Sequence, residues 1–134
     1  MIGLVIVAHG GLATELKAAM EHVVGKQEGV LAISTAPDDD LTAKQREIDE
    51  AIDAVDTGSG AAIFTDMFGG TPCNLALGAM AGRDVEVIYG ANLPMLVKFA
   101  KSRDRSLTEA ARCAAEAGVK YIDCASNMLS AKAS

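Results

Sequence analysis

His9 stands at the end of the apolar run "LVIVA" and is followed at once by Gly10 and Gly11. Asp66 closes a second run, "AAIFT", and "MFGGTP" comes directly after it. A third run, "VEVIY", leads into "GANLPM" at residues 90–95. An imidazole acts as a nucleophile when the attacking nitrogen is unprotonated and the ring is held in one tautomer. A carboxylate that accepts a hydrogen bond from Nδ1–H fixes that tautomer and stabilises the positive charge that grows as Nε2 attacks phosphorus. His9 is the candidate nucleophile and Asp66 its candidate orienting partner. Phosphoryl oxygens need donors, and free amides at a helix N-terminus supply them with a favourable dipole. Gly10 clears space beside the histidine, Gly69 and Gly70 let the backbone approach closely, and Thr71 adds a hydroxyl.

Taken singly, each feature has an ordinary reading: a hydrogen-bonded loop histidine, a helix-capping aspartate, a turn before a helix. Together they place a histidine, a carboxylate and a glycine-rich helix start on one rim, which is what phosphoryl transfer to imidazole requires. Exchange between two histidines needs neither metal nor cofactor. The chain has no G-x-x-x-x-G-K-[ST] and no G-x-G-x-x-G, which argues against a tightly held nucleotide.

The elements that must position these residues alternate along the chain. Residues 2–8, 30–35, 61–66 and 85–90 have strand length and β-branched composition. The first and third are continuously apolar, as strands covered on both faces are. Leu12, Leu16, Met20, Val23 and Val24 recur at helical spacing before Gly25. Leu41, Ile48, Ile52 and Val55 form a stripe on a charged segment, and Asp38, Asp39 and Asp40 before it suit a turn and cap better than a metal site. Further helices are expected over residues 71–82, 93–102 and 107–117, with Gly118 as a stop and residues 119–125 as a final short strand. The tail "NMLSAKAS" is expected to fray. This order implies one α/β domain, residues 1–134, with an open, mainly parallel, doubly wound sheet in the order 2-1-3-4. Ligands of such sheets sit outside the strands' carboxyl ends, where the three motifs gather.

Composition narrows the partners. The 134 residues carry a formal net charge of −6, which argues against nucleic acid or an anionic membrane surface. Aromatics make up only 4%, so the core must rest on Ala, Val, Leu, Ile and Met. Cys73, Cys113 and Cys124 are widely spaced and odd in number, which suits reduced thiols in a cytoplasmic protein. The apolar start is too short to insert in a bilayer and lacks a preceding basic residue. His22 projects away from its helix's apolar stripe and reads as an exposed residue. Met20 suits either the core or an apolar collar for a docked partner.

"VAHGGLA", "TDMFGGTPCNLA" and "YGANLPML" resemble, in order and spacing, three segments of the mannose-class enzyme IIA (EIIA-Man) domain of the bacterial phosphoenolpyruvate-dependent sugar phosphotransferase system, PTS. The likeness extends over nearly the whole chain. It implies that His9 accepts a phosphoryl group from the carrier HPr and passes it to an enzyme IIB. It also implies that Asp66 and the turn Gly69–Gly70–Thr71 serve that transfer. A C-terminal strand exchanged across a homodimer would fall on residues 119–125. Phe68, Asn92, Pro94 and Met95 become candidates for partner docking. Many members have Trp at the position of Phe68 and Val at that of Ala91.

Three other readings compete. The chain can be a regulatory module of an incomplete phosphotransferase system, with phospho-His9 controlling capture of a partner protein. It can be the phosphocarrier subunit of a dihydroxyacetone kinase, against which "FGGTP" and "GANLPM" speak. A small-ligand enzyme using His9 and Asp66 as acid and base is the third.

Overall fold

A computed structural model of the chain describes residues 1–133. Its strands are β1 (Gly3–His9), β2 (Val30–Thr35), β3 (Ala61–Thr65) and β4 (Val85–Ile88), all parallel, in the order β2-β1-β3-β4. The helices are α1 (Leu12–Val24), α2 (Leu41–Val55), α3 (Thr71–Gly78), α4 (Leu93–Ala100), α5 (Leu107–Lys120) and α6 (Ala125–Ala133).

The continuous apolar runs are explained by helices on both faces of the sheet. Leu4, Ile6 and Ala8 of β1 share a core with Met20, Leu96, Phe99 and Ala114 from α1, α4 and α5. Val5 and Val7 point the other way, against Ile48, Ile52, Leu75 and Ala76 of α2 and α3. Phe64 and Phe99 meet edge to face at 5.0 Å, the aromatic centre of the first core. Gly3 marks where α2 presses closest, since a Cβ there would lie 2.5 Å from Val55 Cγ2.

At the sheet's amino edge, Arg103 follows α4 and is buried. Its Nε donates to the Ile2 carbonyl at 2.7 Å, Nη2 to the Gly29 carbonyl at 3.2 Å and Nη1 to Gln27 Oε1 at 3.2 Å. Burial lowers its pKa from the usual arginine value, yet a guanidinium so far above neutrality stays charged. One side chain thus ties the starts of β1 and β2 to the α4–α5 connection.

Several boundaries differ from the sequence reading. On α1 the buried face runs through Ala13, Leu16, Met20 and Val24, leaving Leu12 and Val23 exposed. Met20 is fully buried and belongs to the core, and His22 is exposed as expected. Asp40 caps α2, accepting from the Thr42 and Ala43 amides. Helices α3 and α4 end early, at Gly78 and Ala100.

The largest correction concerns residues 119–125, which form no strand in the single chain. Helix α5 continues through Gly118 to Lys120, and α6 begins at Ala125. Gly118 does not stop the helix because its neighbours need it there. Asn92 Nδ2 donates to its carbonyl at 2.9 Å, and a Cβ at this position would lie 2.7 Å from Met95 Cε. The expected tail is helical as far as Ala133, and Ser134 lies outside the described residues.

Candidate functional site

The β1–β3 register, with Val7 opposite Thr65, brings the carboxyl ends of these strands side by side. His9 and Asp66, 57 positions apart, therefore meet directly. His9 Nδ1 lies 2.8 Å from Asp66 Oδ2, and the His9 amide donates to the same oxygen at 3.0 Å. The Met67 amide donates to Asp66 Oδ1 at 3.0 Å, so both carboxylate oxygens are held.

Burial opposes ionisation of Asp66. Hydrogen bonds from the His9 amide and ring, together with the field of His9, outweigh it and hold the carboxyl below the ordinary aspartate range. An ionised carboxylate has no hydrogen to donate, so Nδ1 carries the proton, and in the neutral ring this tautomer leaves the lone pair on Nε2. The His9 side chain is 50% exposed against 12% for Asp66: the partner is sheltered and the ring reaches solvent.

Gly70 lies against the free edge of that ring. A Cβ there would stand 3.0 Å from His9 Cε1 and 3.4 Å from Nε2. Its φ of −87° is open to any residue, so the close approach of the ring explains the glycine. Gly10 and Gly69 are glycines for backbone reasons, with φ of 56° and 89°. No side chain caps α3, and the amides of Thr71 and Cys73 belong to a first turn that has no intrahelical acceptors. Pro72 brings no amide, and Asn74 N already donates to the Gly70 carbonyl. A recess of about 410 Å³ opens here, lined by His9, Gly10, Thr35, Ala36, Pro37 and Thr71. It presents a nucleophilic nitrogen beside a helix N-terminus, an arrangement able to receive a tetrahedral oxyanion.

The four candidate docking residues separate. Phe68 is 69% exposed and Pro94 is also exposed. Asn92 is half-buried and engaged, its Oδ1 capping α4 through the Met95 amide at 3.0 Å. Met95 is buried against Gly118 and the core, on the inward side of α4's first turn, and offers no surface to a partner. The sequence reading missed Tyr89, whose ring meets Phe68 edge to face at 5.0 Å. With Met67 these rings form an exposed apolar rim beside Asp66. The available signal was position, since Tyr89 follows β4 at the same carboxyl edge. Among the described residues no group of three or more His, Cys, Asp or Glu is placed to hold a metal ion.

The sequence profile of the EIIA-man family, described as "PTS system fructose IIA component", matches residues 3–116. The chain belongs to this family. It is 32% identical over 120 residues to the "PTS system mannose-specific EIIAB component" of Escherichia coli (strain K12), covering 87% of this chain and 37% of that protein. It is 30% identical over 100 residues to the "PTS system sorbose-specific EIIA component" of Lacticaseibacillus casei, covering 72% of this chain and 70% of the relative. Among solved structures, the "Mannose/sorbose specific IIA subunit of phosphotransferase system from Enterococcus faecalis" superposes with a TM-score of 0.82 at 26% identity, over 92% of this chain and 93% of that one. The chain thus spans little more than a third of the EIIAB protein it matches. Membership of the EIIA family supports a phosphotransfer role in the sugar phosphotransferase system. Among the described residues, no helix of this EIIA chain is long and apolar enough to cross a membrane.

Proposed function

We propose that this EIIA chain is a phosphoryl carrier in which His9 accepts the group from phospho-HPr and passes it to an enzyme IIB. The observation that supports this most is the 2.8 Å contact between His9 Nδ1 and an ionised Asp66, which leaves Nε2 as the nucleophile. In the forward step the Nε2 lone pair forms the new N–P bond. The P–N bond to the donor's histidine breaks, and its electron pair returns to that imidazole. Asp66 offsets the positive charge on the His9 ring. Gly10, Gly69, Gly70 and Thr71 form the cradle, with the Thr71 and Cys73 amides donating to the phosphoryl oxygens. Positioning and electrostatics carry such a transfer, with little other covalent machinery.

Phe68, Tyr89 and Pro94 supply the surface on which donor and acceptor dock in turn. Val119, exposed beside β4 at the open edge of the sheet, and the exposed Ile122 support a homodimer in which the segment after Tyr121 pairs with the partner's sheet. Light scattering of the purified chain tests that assembly directly.

Incubation with phosphoenolpyruvate, enzyme I and HPr tests the central claim. One acid-labile phosphate per chain is expected, and none in His9→Ala. Labelling of His9→Ala at the wild-type level would remove His9 from the reaction.

A further inference from the structure

Charge is unevenly divided along this acidic chain. Residues 1–92 carry five Lys and Arg against fourteen Asp and Glu, whereas residues 93–122 carry six against three. Three of those six cations are already engaged: Arg103 at the amino edge of the sheet, Arg105 with Glu109 at 3.7 Å, and Arg112 with Glu116 at 2.9 Å. Lys98, Lys101 and Lys120 have no carboxylate partner among the described residues, and all three line one cleft of about 500 Å³ between α4 and α5. Its apolar wall includes Val97, Ala117 and Tyr121, and the Lys120 ammonium lies 5.4 Å from the Tyr121 ring centre. Glu116 also lines the cleft, with its carboxylate held by Arg112.

We propose that this cleft is a second binding site, separate from the His9 recess, for a small organic polyanion bearing two or more phosphate charges. Lys98 in the last turn of α4 and Lys101 just past its end are one turn apart, and Lys120 approaches from the end of α5. Three ammonium groups from two walls repel one another when empty of counter-charge, and a ligand with several negative charges relieves all three at once. Lysine binds phosphate as a mobile point charge and tolerates varied geometry around it. The cleft has the volume of a small-molecule site, and its apolar wall suits the organic part of such a ligand.

Inorganic pyrophosphate, titrated into the full chain at low ionic strength and followed by amide chemical shifts, is the test. Saturable shifts are expected in residues 97–101 and 116–121, with Gly70 and Thr71 reporting anion capture at the His9 site in the same spectra. In Lys98→Ala/Lys101→Ala the dissociation constant at the cleft should rise about tenfold or more. The Gly70 and Thr71 response should stay as it was. Lys26→Ala, on the loop after α1, should leave the cleft response unchanged. Absence of saturable cleft shifts at millimolar pyrophosphate, equal affinity in the double variant, or equal weakening by Lys26→Ala would each overturn the proposal.

Discussion

The two edges of the sheet hold their nitrogen-bearing side chains in opposite ways. At the amino edge Arg103 is 4% exposed, and its guanidinium is committed to two backbone carbonyls and one side-chain amide. At the carboxyl edge the His9 side chain is 50% exposed and only Nδ1 is engaged. The first arrangement closes the fold on itself. The second fixes a ring by one nitrogen so that the other stays available. Rigidity at one edge and reactivity at the other rest on the same device, a side chain aimed by acceptors that the strands deliver.

Variants at the two edges should therefore fail differently. Arg103→Met removes the guanidinium donor from the Ile2 carbonyl in a buried place, while the Gly29 carbonyl keeps the Leu4 amide. A loss of about 3 kcal/mol is expected in urea unfolding, with His9 still phosphorylated in the cold. A stability change below about 1 kcal/mol would show that Arg103 is only a surface strap. At the other edge, Asp66→Ala should slow phosphorylation about 100-fold or more while the unfolding midpoint moves little. Unchanged transfer rates would take Asp66 out of the mechanism. Gly70→Ala is milder, because its backbone angle accepts alanine and only the His9 ring must give way. Transfer is expected to fall about tenfold, visible as a changed His9 ring signal in the same variant.

The smallest effect is on pH dependence. Asp66 titrates lower in the folded chain than in the unfolded one, so its contribution to stability is present above the ordinary aspartate pKa. That contribution is lost as pH falls through the folded value. The stability gap between wild type and Asp66→Asn should thus shrink below about pH 4. A gap that is flat down to about pH 2 would mean that Asp66 is not ionised against His9.

The site was more legible than the chain's end, for a physical reason. His9 and Asp66 terminate neighbouring parallel strands, so strand order alone was enough to bring together residues 57 positions apart. The continuous apolar runs of β1 and β3 announced helices on both faces, and both faces are covered. Residues 119–125 look like a strand because Val119, Tyr121 and Ile122 favour one locally. Contacts from Asn92 and Met95 onto Gly118, 26 and 23 positions away, carry the helix past its glycine, and no local pattern contains them. Arg103 was invisible for a similar reason, since two of its three acceptors are backbone carbonyls that any residue could have supplied. Met95 was misplaced because motif membership says nothing about which side of a helix turns inward.

The bond from Asn92 to the Gly118 carbonyl joins the loop beside the site to the last turn of α5. Mechanically it is a tie-rod. The sheet transmits strain between its edges through many parallel bonds, whereas load applied beyond Tyr121 reaches the "GANLPM" loop at Gly118, through this amide and the Met95 side chain packed beside it. A protein that grips the C-terminal segment therefore also holds one side of the rim around His9, without touching it.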